Sequence, residues 1–372
     1  MRIFKLAMFT LAFGASLFTS SPGMLAQNRS VVFKCGDEGS KYYRIPAIVT
    51  ASDGSLVVVA DKRWESNADL PGHIDVVCRR STDNGATWSD PVIVAATNDG
   101  GGYGDPALVL DRKTGDLLCI STHGEGLWTA TPGNNAHIVV SRSSDGGKSW
   151  DAPHDITSML FPVADAAKPW ITAFASSGRA LQLADGRLMF VLVVRDELDK
   201  GQTLKCYSCF SDDGGLTWRS SAMPADPNGD EAKVAELPDG RVLMSIRNRW
   251  QGKRHFVVSE DRGETWSEVV EHPGLNDPAC NGDLITIEAD GETLLLQSLP
   301  WTEKERRNVT IFCSRDNGAT WQPSVTVCPG GSAYSSLTQL ADGSIGCVVE
   351  ENDPEGDGFN LWFTQIPLEQ IW

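Results

Sequence analysis

"STDNGATW" (81–88) decides the fold, because the stretch occurs five times. It returns as "SSDGGKSW" (143–150), "SDDGGLTW" (211–218), "SEDRGETW" (259–266) and "SRDNGATW" (314–321). The copies start 62, 68, 48 and 55 residues apart. Local chemistry explains each part of the unit. An Asp carboxylate can accept from the backbone two residues on, as in an Asx turn. The Gly can take a positive φ without steric cost. The closing Trp can bury a large ring against a neighbouring sheet. Every position is thus occupied in making a turn. The octet reads as frame, and Asp83, Asp145, Asp213, Asp261 and Asp316 as structural carboxylates rather than catalytic ones.

Working outward, each octet follows a strand-like run: "IDVVCRR" (74–80), "AHIVVSR" (136–142), "LKCYSCF" (204–210), "RHFVVS" (254–259) and "NVTIFCS" (308–314). Further runs lie between them: "SLVVVA" (55–60), "RLMFVLVV" (187–194), "RVLMSI" (241–246), "TLLLQSL" (293–299) and "SIGCVVE" (344–350). The turn signals "SDGS", "ADGR", "PDGR" and "ADGS" precede several of these and mark hairpins. No segment beyond the N-terminus has helical periodicity. Short strands recurring at this period predict an all-β chain, a six-bladed β-propeller of four-stranded antiparallel blades, with one blade lacking an octet. A two-sheet sandwich fits the long period less well.

The N-terminus reads as an export signal. Arg2 and Lys5 precede an apolar run from Leu6 to Phe18, and Ala26 offers a small residue at a cleavage point. The run is short for a membrane span. The expected organisation is a signal peptide over 1–26 and one domain over 27–372, delivered to the periplasm or secreted. The net charge of −17 disfavours general binding to nucleic acid or anionic membrane. Nine dispersed cysteines do not form a disulfide framework, and Cys206-x-x-Cys209 has no second pair at zinc-ribbon spacing. Buried thiols are expected. No metal motif and no nucleotide loop is present, so neither a metal nor a cofactor is expected.

Against this acidic background, three arginines stand at strand ends: Arg44 in "YYRIPAIV" (42–49), Arg247 closing "RVLMSIRN" (241–248) and Arg306 before "NVTIFCS". In a radial array, like ends of successive strands converge on one axial mouth. Three guanidinium groups gathered there would repel one another unless they shared an anion, and their fork geometry suits a carboxylate.

With these residues in view, the chain resembles the bacterial exo-α-sialidases (neuraminidases). The Y-R-I-P motif at 43–46 and the Asp-box octets carry the likeness over essentially the whole chain beyond the signal. The resemblance implies a six-bladed propeller in which Arg44, Arg247 and Arg306 hold the carboxylate of a sialic acid. Arg307 rivals Arg306, though strand alternation sends the two to opposite sides; Arg249 rivals Arg247 more weakly.

The same resemblance implies Tyr334, in "GGSAYSSLTQL" (330–340), as the nucleophile. Sialidases are the recognised tyrosine exception among glycosidases that otherwise use two carboxylates. A carboxylate would approach the anionic sugar against like charge, whereas a phenol can arrive neutral and lose its proton during attack. Glu231, in "GDEAKVAEL" (229–237), matches the base that a phenol needs, with Glu236 as a minor rival. Asp69, in the polar loop after Arg63, matches the leaving-group acid; Asp61 and Asp75 are the alternatives. Glu350 matches a glutamate that braces Arg44, with Glu351 as the other candidate. Arg63 and Asp105 match positions near the 4-hydroxyl and N-acetyl group of the sugar, and each would serve equally as a turn or surface charge. Where the family often has Asp two residues after its tyrosine, this chain has Ser336.

The implied activity is hydrolysis of terminal α-linked sialic acids with retention, through a tyrosyl-enzyme intermediate. The implied partners are sialylated glycans: mucin-type glycoproteins, gangliosides and sialyl-oligosaccharides. The alternatives are a trans-sialidase, including an intramolecular one, and a sialic-acid-binding lectin on the same frame.

Overall fold

A computed structural model describes residues 28–97, 101–161, 170–197 and 203–371; the expected signal segment lies outside them. The described chain is all-β. Every run singled out above forms a strand, from Leu56–Arg63 to Ile345–Asn352. One α-helical turn, Thr157–Leu160, and two 3-10 turns are additions that periodicity could not flag, since each is a turn or less. No helix among the described residues is long and apolar enough to cross a membrane.

The strands form sheets of seven, five, five, four and four strands, almost entirely antiparallel. The strand Gln322–Gln339 is 18 residues long. Its first half pairs with Arg307–Ser314 and its second half with Ile345–Asn352, which joins two four-strand sets into the seven-stranded sheet. The N-terminal strand Arg29–Phe33 pairs with Phe359–Ile366 near the other end of the chain.

The octets are the joints between sheets. In each, the Ser hydroxyl donates to the Asp, and the Thr or Ser hydroxyl before the Trp donates to the second Asp oxygen at 2.6 Å. The backbone N–H captured by the Asp belongs to the residue four positions on, as from Thr87 to Asp83 at 2.9 Å, joined at Asp145 and Asp213 by the one three positions on, rather than to the residue two on. The Asx turn expected from sequence is thus replaced by a wider loop. The reason lies in the backbone: the residue before the octet Gly is also left-handed, as at Asn84 (φ 55°) and Gly85 (φ 82°), so the chain curls around the carboxylate.

The Gly itself packs on the preceding sheet. A Cβ on Gly85 would lie 2.1 Å from the Phe363 ring, and one on Gly215 2.4 Å from Leu118. Gly147 likewise meets Val57, Gly263 meets Met189 and Gly318 meets Leu243. The apolar clusters run between sheets in the same way, as where Leu56 and Val58 pack with Val348 and Phe363. The cysteines are unpaired; eight are buried, and Cys206 and Cys209 lie in different clusters on the two faces of one strand.

Register places the octets far from the arginines. Tyr42 pairs with Arg63 and Arg63 with Ile74 at one end of their sheet; Thr50 pairs with Leu56 and Leu56 with Ser81 at the other. The octet begins at Ser81, so it sits at the end opposite Arg44.

Candidate active site

Five strands break register near the end that carries Arg44. The shifts fall between Arg44 and Ala47, Gly104 and Ala107, Gly229 and Ala232, Arg307 and Val309, and Ser332 and Ser335. Such bulges re-aim side chains at the rim of a sheet array. Here they present Arg44, Asp105, Glu231, Arg306 and Tyr334. Ile45 and Asp105, each followed by a proline, are left-handed (φ 59° and 55°). For a β-branched residue that conformation is strained and needs a holder. The Ile45 N–H donates to buried Glu350 at 2.8 Å.

The bulges surround a cavity of about 330 Å3, lined by Asp69, Asp105, Glu231, Arg247 and Tyr334 together with Trp128, Phe174 and Trp250. The Tyr334 hydroxyl donates to Glu231 Oε2 at 2.6 Å, and Arg247 Nη1 donates to the same oxygen at 2.6 Å and to the phenol oxygen at 3.1 Å. The Arg44 and Arg306 guanidinium carbons lie 5.2 and 5.6 Å from the Tyr334 ring centre. Three cations from distant parts of the chain therefore converge on one phenol.

Electrostatics separates the two members of the hydrogen bond. Burial would push the Glu231 carboxyl up, but the Arg247 guanidinium, the Lys233 ammonium and the Tyr334 hydroxyl outweigh it and hold the group below its ordinary range. Burial, then the Glu231 charge, pushes the Tyr334 phenol well up, against the pull of the three arginines. A protonated phenol thus faces an ionised carboxylate, a pair able to exchange a proton.

Each arginine has its own brace. Glu350 accepts from Arg44 Nε and Nη2, both at 3.0 Å, and from the Tyr334 N–H at 3.1 Å. Arg306 Nη2 donates to the Ala279 carbonyl at 2.7 Å. The alternatives point elsewhere. Arg307 is exposed beside Glu305, Glu351 pairs with Arg29, and Glu236 accepts from the Ala184 N–H. Arg249 lines the cavity but stacks between Trp128 and Trp250.

Asp69 stands on its loop with 74% of its side chain exposed, 2.9 Å from Arg63 Nη1. Arg63 is buried and also holds Asp61 at 2.8 Å. Asp75 accepts from Trp64 Nε1 and does not line the cavity. Burial raises Asp61 to about 6 despite Arg63, and burial plus the Asp61, Asp69 and Glu231 charges raises Asp105 well above the carboxylate range. Ser336 donates to the buried Asp283 at 3.0 Å, so a carboxylate still lies beside this position, contributed by another strand.

Sequence reading passed over Asp230, Lys233, Asn281 and the Trp128–Arg249–Trp250 stack. Two of these left a signal. Asp230 and Lys233 are charges flanking Glu231 in a strand whose remaining side chains are mostly apolar, and both are buried. Asn281 left none, since its charged partners Lys233 and Glu231 lie 48 and 50 residues away.

Known proteins share the sequence and fold of this chain. Residues 62–347 match the BNR repeat-like domain family. A sialidase of Bacteroides fragilis is 33% identical over 85% of this chain and 61% of its own length. One from Micromonospora viridifaciens is 34% identical over 85% of this chain and 50% of its own. The chain thus spans about half to three-fifths of these relatives. Among solved structures, the Hadza microbial sialidase Hz136 superposes with a TM-score of 0.82 at 32% identity, covering 92% of this chain and 69% of that one. The intramolecular trans-sialidase from Ruminococcus gnavus, at 18% identity and a TM-score of 0.77, shares the fold. Repeat, fold and sequence identity lead to one conclusion: the chain belongs to the bacterial sialidase family and has its β-propeller fold.

Proposed function

We propose that the protein is an exo-α-sialidase that releases terminal sialic acids from sialylated glycans, such as mucin-type glycoproteins, gangliosides and sialyl-oligosaccharides. The observation that carries the reading is the Tyr334–Glu231 hydrogen bond with three arginines around the phenol. In this reading Arg44, Arg247 and Arg306 clamp the sugar carboxylate, with Glu350 holding Arg44. Asp69 donates a proton to the glycosidic oxygen as that bond breaks. The Tyr334 oxygen bonds the anomeric carbon while its proton passes to Glu231. Water, deprotonated by Asp69, then displaces the phenol with net retention, and Glu231 returns the proton to the tyrosine. Arg63 positions Asp69 and, with Asp105, faces the sugar's ring substituents.

The decisive experiment is turnover of a fluorogenic aryl sialoside, with product mass to distinguish hydrolysis from transfer. Tyr334→Phe is expected to lower kcat/KM by about 10²-fold or more, the low end of acid–base and nucleophile losses. Absence of release by the wild type, or undiminished release by Tyr334→Phe, would overturn the assignment. Asp69→Ala should cost more on an alkyl sialoside than on the aryl one, whose leaving group needs little protonation.

We also infer six four-stranded blades. The reading is supported by the division of the 18-residue strand between two sets. It is supported again by the octet glycines, each of which abuts the preceding sheet. The organisation into a signal peptide over 1–26 and a catalytic domain over 27–372, exported to the periplasm or beyond, completes the proposal. N-terminal sequencing of protein recovered from periplasmic and culture fractions tests it; an unprocessed cytoplasmic chain would rule it out.

A further inference from the structure

Beneath the phenol lies a buried group that the proposed reaction does not use. Lys233 is 1% exposed and sits two residues after Glu231 on the strand Gly229–Glu236. Its Nζ donates to Asn281 Oδ1 at 2.8 Å. The Asn281 Nδ2 donates to Glu231 Oε1 at 3.0 Å, and its Oδ1 also accepts from the Gly282 N–H at 3.0 Å. Ser177 Oγ completes the set on Oε1 at 3.1 Å. Oε1 is thus held from below, which leaves Oε2 for Tyr334 and Arg247.

The orientation of the amide follows from chemistry. An ammonium only donates and a carboxylate only accepts, so the amide between them must turn its oxygen to Lys233 and its nitrogen to Glu231. The flipped amide would set two acceptors against each other on one side and two donors on the other. Gly178 leaves room for the lysine stem, since a methyl group there would lie 2.8 Å from its Cε. Burying a polar or charged group without partners is costly, so a lysine held here needs a role that repays it.

We propose that Lys233 and Asn281 form a positioning pair that holds the Glu231 carboxylate aimed at the Tyr334 hydroxyl. The proposal rests on the assignment of Glu231 as the base. The charged and titratable groups facing Glu231 are Arg247, Lys233, Tyr334, Asp230, Asp105 and Cys206; those facing Lys233 are Asp283, Glu231, Arg254 and Cys206. Lys233 is the cation on the Oε1 side, so removing it leaves Glu231 easier to protonate.

The test uses the pH dependence of kcat on an aryl sialoside, where the limb at low pH reports the base. Lys233→Met is expected to move that limb up by about one pH unit and to lower kcat about tenfold, with KM changed by less than about threefold because the arginine clamp is intact. Asn281→Ala, which deletes the amide and leaves the lysine, should move the limb the same way, and it decides the question if Lys233→Met does not fold. Lys233→Arg keeps a buried cation and should return the limb toward the wild-type position. Folded Lys233→Met or Asn281→Ala protein with an unmoved limb overturns the pair. Failure of the base assignment itself looks different: Glu231→Gln would retain wild-type turnover.

Discussion

At the scale of the residue, the site depends on carboxylates that serve two masters. Glu350 accepts two bonds from Arg44 and one each from the backbone of Ile45 and Tyr334, and is itself fully buried. It therefore fixes an arginine, a strained bulge and the Tyr334 backbone at once. Glu350→Gln is expected to destabilise the fold by about 3 kcal/mol, since it leaves a largely buried guanidinium without its counter-charge. The same change should raise KM about tenfold, with a smaller loss in kcat, because it misplaces Arg44 in the proposed carboxylate clamp. Chemical denaturation and steady-state kinetics on one preparation check both. A variant of wild-type stability and KM would show that Arg44 is held by other means.

At the scale of the element, the octet and the bulge do opposite work on the same strands. Asp213 accepts from Ser211 Oγ and from the Leu216 and Thr217 N–H groups at 2.8, 3.1 and 2.9 Å. Although partial burial raises it, these bonds and the Thr217 hydroxyl bring its carboxyl down to about 2. A carboxyl depressed on folding gives stability that is complete above its unfolded value and lost as pH falls through the folded one. Asp213→Ala should therefore cost about 1–2 kcal/mol at pH 7. The difference from wild type should shrink as pH falls from about 4 toward 2, while kcat/KM near neutrality stays unchanged. Thermal melts across pH, with an activity assay beside them, would show this. The octets were legible in sequence because each is closed within eight residues. Strands such as Leu188–Arg195 were legible because apolar runs carry their own signature. The bulges were not read from sequence, although a proline marks two of them, at Arg44-Ile45-Pro46 and Asp105-Pro106. The one at Glu231 has no local marker, because it arises from pairing with a strand more than ten residues away. The braces that cross between sheets, such as Asn281 to Glu231, lie beyond any local pattern.

At the scale of the whole molecule, two populations of carboxylates pull stability in opposite directions with pH. Octet acids such as Asp83, Asp145 and Asp213 are brought down to about 2. Around the cavity, burial brings Asp61 up to about 6, and burial with its acidic neighbours raises Asp105 well above the carboxylate range. A carboxyl raised on folding favours the folded state where it is protonated and weakens it as pH rises through the folded value. Asp105→Asn mimics the protonated form. It should raise the melting temperature at pH 7, with the gain fading by about pH 4, while sugar binding suffers. Equal melting at both pH values would show that Asp105 is not crowded by Asp61, Asp69 and Glu231. Scaffold and chemistry occupy opposite ends of the same strands, Ser81 at one and Arg63 at the other. Descendants of such a chain can thus inherit the joinery unchanged while drift and selection rework the rim, so one architecture can be handed down through many sugar specificities.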